Sequence, residues 1–215
     1  MKRTKAAAQE TRNRILDAAE QIFVARGVAA ATLSEIADTA SVTRGAIYGH
    51  FANKSELFAA IIERAGLPVE SLAKQVAKVP ETDVLAHLHK VFAQSLHDVS
   101  RSPRTWRIFA IVFRKYAMAD ESCPVLMRCR RAADELQTSL RIALRHAVRG
   151  GQLPRDLDVE FASSLFVVLW NGVFLARLSS SPMADVQHDE AGRIAQGWLD
   201  VLRHSPACRG KEQVR

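Results

Sequence analysis

The segment TASVTRGAIYGHFANK, residues 39 to 54, sets its polar side chains at spacings that suit anions and flat polar edges rather than bond-making chemistry. On a helix, Arg44 and Tyr48 share one side, while Gly45 and Gly49, also four apart, leave a strip beside them without Cβ atoms. Ile47 points away from that strip, toward a core. Each glycine weakens a helix by about 1 kcal/mol relative to alanine, so the segment gives up stability to keep its outer face empty. An empty face admits a large surface at close range. Arg44 carries a planar fork of donors that matches guanine O6 and N7, or a phosphate. Thr43 stands at the helix start, where amides favour anions, and Tyr48, His50 and Lys54 add a phenol, an imidazole and an ammonium suited to phosphate oxygens.

The elements that must hold these groups are helices. A first helix over about residues 9–26 places Ile15, Ala18, Ala19, Ile22 and Phe23 on one stripe and stops at Gly27. Thr32 and Glu35 form a capping box that opens a helix of about two turns, LSEIADTA. Ser41 follows it, where a tight turn calls for φ > 0 and glycine is the unstrained choice. Thr43 caps the glycine-bearing helix, 43–50, and Asn53 with Glu56 opens the next, which carries Leu57, Phe58, Ile61 and Ile62. Helix, short turn and second helix form a helix-turn-helix, a shape whose second helix fits a major groove about 12 Å wide. Five longer helices follow, roughly 83–101, 104–118, 122–149, 157–179 and 186–204, bounded by Pro and Gly signals. The expected class is therefore all-α with about nine helices: a helix-turn-helix domain over 1–62 and a larger helical ligand-binding and dimerisation domain over 63–215.

Composition sets outer limits. The chain has 215 residues, 48% hydrophobic and 25% charged, the usage of a folded globular protein. Its net charge of +7 is concentrated mid-chain: residues 101–149 hold eleven basic and four acidic side chains, so the opening motif does not owe its character to bulk charge. Cys123, Cys129 and Cys208 fit no zinc spacing and read as buried thiols. The basic start MKRTKAAAQETRNR lacks an apolar signal core, and the longest apolar run, ASSLFVVLWNGVFLA (162–176), is too short and interrupted to span a bilayer. A cytoplasmic protein with no membrane partner is expected, and the apolar run reads as a helix buried all round.

Nothing after residue 65 has the form of a catalytic or metal site. No nucleophile elbow or P-loop is present, and His87 and His89, two apart, face different sides of a helix. No enzyme activity, cofactor or metal is expected. Aromatic stripes stand out instead: Trp106, Phe109 and Phe113 on one helix, Phe166, Trp170 and Phe174 on another, with Asn171 beside Trp170 as a buried amide in need of partners. Such stripes fill cores, and they also line the apolar pockets that helical bundles use for small molecules.

The runs T-L-S-E-I-A and V-T-R-G-A-I-Y-G-H-F-A-N-K-S-E-L-F resemble the N-terminal domain of the TetR family of transcriptional repressors. The opening M-K-R-T-K-A-A-A-Q-E-T-R, F-R-K at 113–115 and G-Q-L-P-R-D-L at 151–157 resemble AcrR-like repressors of multidrug efflux operons. The resemblance implies a homodimer on a pseudopalindromic operator in double-stranded DNA, with Thr32, Thr43, Arg44, Gly45, Tyr48, His50 and Lys54 at DNA-touching positions. It also implies a hydrophobic effector near Phe109, Phe113, Phe166, Trp170 and Asn171, and a four-helix dimer interface from the last two helices. Two departures stand against it: Ser41 where the family often has glycine, and Gly49 where it usually has tryptophan. The rival reading is a dimeric helical small-molecule-binding or interaction module that does not read DNA.

Overall fold

The computed structural model describes residues 5–116, 123–178 and 188–210, apart from a few side chains within them, Phe113 and Phe174 included. Among the described residues the chain forms ten α-helices and no multi-residue strand. They are α1 (Lys5–Ala30), α2 (Leu33–Thr39), α3 (Arg44–Tyr48), α4 (Lys54–Ala65), α5 (Pro68–Val76), α6 (Val84–Arg101), α7 (Pro103–Tyr116), α8 (Pro124–Arg149), α9 (Val159–Leu178) and α10 (His188–His204). A 3-10 turn, Pro206–Cys208, follows. The all-α class is as expected. The addition is α5, a nine-residue helix set between prolines that buries Leu72, Ala73 and Val76.

Two compact units divide the chain: residues through Leu67 with Arg104–Arg128, and Pro68–Pro103 with Cys129 onward. In the first unit, α1 is broken at Gly27, whose φ of 77° is the positive value a glycine stop provides. Ile15, Leu16, Ala19 and Phe23 of α1 pack with Ile36, Ile47, Phe51, Leu57, Phe58 and Ile61, all buried, and Phe23 and Phe58 meet edge to face at 6.4 Å. Beside that core sits a buried carboxylate. Glu20, its side chain 5% exposed, accepts from Arg107 Nε at 2.6 Å and from Arg64 Nη2 at 3.2 Å, while Arg64 also pairs with Asp17 at 2.7 Å. One charge thus ties α1 to α4 and α7.

The second unit is built on α6 and α10, with Phe92, Phe166 and Trp198 clustered at its centre, Phe92 tilted against Phe166 at 4.3 Å and Phe166 edge to face with Trp198 at 5.1 Å. On α8 the stripe Val125, Cys129, Ala132, Leu136, Leu140, Ala143 and Ala147 is buried throughout. Cys208 is fully buried, and burial pushes its thiol up from its ordinary range, opposed by Arg209 and reinforced by Asp158. All three cysteines are free and buried. His87 and His89 each meet a different backbone carbonyl, that of Asp83 at 2.9 Å and that of Gly192 at 3.1 Å.

One expectation is corrected. Helix α9 is not buried all round: Phe161, Val168 and Leu175, seven apart, are exposed, Val168 to 65%. Asn171 is exposed as well, so its amide is not the buried group the apolar run implied. Hydropathy along a helix cannot separate a face turned to its own core from a face left for another molecule. No helix among the described residues is long and apolar enough to cross a membrane.

Candidate nucleic-acid interface

Local capping explains why such a weak helix forms at all. Thr32 Oγ1 accepts from the Glu35 amide at 3.2 Å and donates to Glu35 Oε2 at 2.9 Å, and Glu35 Oε2 also takes the Thr32 amide, which closes the capping box of α2. Arg26 pairs with the same carboxylate. At the turn, Ser41 stands at φ 52°, the left-handed value that side chains rarely take. Arg14 holds that turn, donating through Nη2 to the Ala40 and Ser41 carbonyls at 2.5 and 2.9 Å. Thr43 Oγ1 then accepts from the Ala46 amide at 3.2 Å to start α3.

Helix α3 is one turn and a half, shorter than the expected 43–50: Thr43 is its cap, Gly49 its C-terminal cap, and His50 lies in the following turn. Ile47 is fully buried and anchors it, while Tyr48 is 61% exposed and Thr43, Arg44, Gly45 and Gly49 face outward. A Cβ built on Gly45 would meet nothing nearer than Thr43 Oγ1 at 3.9 Å. The glycine is therefore not required by the protein's own packing, nor by φ, since α3 is ordinary helix there. Gly49 also holds a right-handed conformation, φ −71°, that any residue adopts.

Arg44 does not hang loose. Its Nε and Nη2 donate to Ser34 Oγ of α2 at 2.9 and 2.6 Å. Lys54 Nζ donates to the carbonyls of Ala29 and Ala31, both at 2.7 Å, clipping the start of α4 to the end of α1. Arg12 lies over the Phe51 ring at 5.1 Å. Asn53 caps α4 through the Glu56 amide at 2.9 Å, and Glu56 reaches back to the Ala52 amide at 2.7 Å. Thr32, Ser34, Arg44, Tyr48, Asn53 and Lys54 line one surface concavity of about 540 Å³, so four of the seven residues named from sequence share a face with Ser34, which was not named. Spacing could not reveal Ser34, because it meets Arg44 only through the angle between two helices. Thr32 enters this face through its cap, its hydroxyl proton being held by Glu35.

The residues named for an effector are divided between the units. Phe109 is half-buried on α7 in the first unit; Phe166 is in the aromatic centre of the second, with Trp170 buried and Asn171 exposed on the same helix. The side chain of Phe113 lies outside the described residues.

Residues 15–61, which span most of the first unit's helices, match the model of bacterial regulatory proteins of the tetR family. Over 209 residues the chain is 38% identical to the probable HTH-type transcriptional regulator ArpR of Pseudomonas putida, covering 97% of this chain and 99% of that one. The chain belongs to the TetR family. Among solved structures, MexZ, a key repressor responsible for antibiotic resistance in Pseudomonas aeruginosa, superposes with a TM-score of 0.73 at 33% identity, covering 94% of this chain and 98% of that one. SmeT, the repressor of the Stenotrophomonas maltophilia multidrug efflux pump SmeDEF, gives 0.66 at 31% identity over 97% and 94% of the two chains. A SmeT–triclosan complex gives 0.72 at 30% identity over 92% and 94%.

Proposed function

We propose that this TetR-family protein is a ligand-responsive repressor that binds a pseudopalindromic operator as a homodimer in the cytoplasm and controls a multidrug efflux operon. The observation that carries the reading is α3: a short helix fixed by one buried isoleucine, its outer face stripped to glycine, with an exposed arginine at its start and an exposed tyrosine beside it. A dimer carries two such helices to successive major grooves, which is why the operator has two-fold half-sites. Arg44 reads a base edge; Thr43, Tyr48, His50 and Lys54 meet the backbone; Gly45 lets the helix lie close; Thr32 fixes the helix that supports them.

The similarity to SmeT, an efflux-pump repressor that is also solved with triclosan, supports a hydrophobic effector and an efflux target. Phe166 and Trp170, buried side by side on α9 in the second unit, are its proposed contacts, and the effector releases DNA only by as much as it prefers the non-binding state. The function needs no catalysis.

A mobility shift on the DNA upstream of the protein's own gene, against a random duplex at the same salt, tests the reading. A repressor binds the upstream fragment at least a thousandfold more tightly, the order of specific over non-specific affinity. Equal affinity for both would leave the rival, a helical small-molecule binder, in its place.

A further inference from the structure

From the Arg44–Ser34 contact we infer that Ser34 is a positioning residue for base reading: it holds the guanidinium of Arg44 by one edge so that the other edge faces the groove. The inference rests on the proposed DNA-reading role of α3. A guanidinium has five N–H donors in a fixed plane. Ser34 Oγ accepts two of them, one from Nε and one from Nη2, which form the lateral edge. The two N–H groups of Nη1 and the second of Nη2 remain, and the adjacent Nη1/Nη2 pair is the end-on fork that fits guanine O6 and N7. An arginine on a flexible stem otherwise loses its freedom only when it docks, and a support that removes that freedom beforehand sharpens recognition.

The support is itself rigid. Ser34 is in the first turn of α2, enclosed by the capped Thr32–Glu35 pair and followed by the buried Ile36 and Ala37, and Glu35 is in turn paired with Arg26. Ser34 is half-buried, whereas Arg44 is exposed, so the hydroxyl is the fixed partner and the guanidinium the one being placed. Ser34 carries no charge, and its effect is on where Arg44 points rather than on the attraction for phosphate.

The test starts by selecting duplexes from a random pool with the wild-type protein and measuring affinity on the enriched site and its single-base-pair variants at one salt concentration. Ser34→Ala is expected to lose about three- to tenfold in preference, the worth of one or two exchanged hydrogen bonds, at the same base pair where Arg44→Ala loses its preference. The double variant loses no more than Arg44→Ala alone, Ser34→Thr keeps the preference, and the salt dependence and melting temperature of Ser34→Ala stay at wild-type values. If the wild type enriches no site, the DNA-reading role falls and this inference with it. If a site is enriched and Ser34→Ala discriminates as well as the wild type, more sharply, or loses affinity equally on every duplex, the DNA-reading role stands and the role of Ser34 is overturned.

Discussion

Two side chains show how far a single residue reaches in this protein. Ser41 holds φ 52° where glycine would be unstrained, and the turn is kept in place by the Arg14 guanidinium on the Ala40 and Ser41 carbonyls. Ser41→Gly is therefore expected to raise stability by about 1 kcal/mol, somewhat less than the full left-handed cost because glycine also loosens the unfolded chain. Urea denaturation checks it, and a loss of stability would mean the serine makes a contact worth more than the strain. Lys54 donates to the Ala29 and Ala31 carbonyls, and in the proposed DNA-bound state its third donor goes to a phosphate. Lys54→Ala is expected to cost about 1 kcal/mol of stability and to weaken binding on all duplexes alike, lowering the salt slope by about 1. A melting temperature at the wild-type value would show that the carbonyl clip contributes nothing.

At the scale of elements, the role proposed for α3 sets stability against DNA contact. Gly45 has room for a methyl group and a helical backbone, so Gly45→Ala is expected to stabilise the protein by about 1 kcal/mol while lowering operator affinity. Thermal unfolding and a binding titration on the same sample test both halves; a stabilised variant with wild-type affinity would show that the bare strip does not touch DNA. The ion cluster on Glu20 works the other way. Glu20→Gln leaves Arg64 and Arg107 facing a neutral amide, and the expected loss is near the lower end of the roughly 3–5 kcal/mol for breaking a buried pair, because both guanidinia keep some water.

What was legible in the sequence was local. The Thr32–Glu35 box, the stop at Gly27, the strain at Ser41 and the cap at Thr43 each depend on residues within a few positions of one another, and each is present. Helix α5 escaped notice because its apolar residues, Leu72, Ala73 and Val76, give barely one turn of pattern between Pro68 and Pro80. Contacts such as Arg107 to Glu20, eighty-seven residues apart, or Arg44 to Ser34 depend on how helices cross and leave no trace in spacing. The apolar run of α9 gave its helix but not its exposed face.

Over the whole molecule, that face is the one the proposed homodimer would use. Phe161, Val168 and Leu175 on α9 and Val201 on α10 are large apolar side chains exposed in the single chain, on the two helices that the family resemblance assigns to dimerisation, while Trp198, Leu199 and Leu202 belong to the subunit's own core. Val168→Glu is expected to yield a folded monomer in sedimentation, with operator binding lost because one half-site holds too little; a stable dimer would move the interface elsewhere. The DNA-reading claim for α3 is tested most directly by titrating wild type and Arg44→Ala on the upstream duplex with each base pair permuted in turn, at fixed salt. The account predicts that Arg44→Ala erases preference at one symmetry-related pair, by about 1–3 kcal/mol per half-site, and leaves the other positions as they were. An equal loss at every position, on operator and random duplex alike, would contradict it.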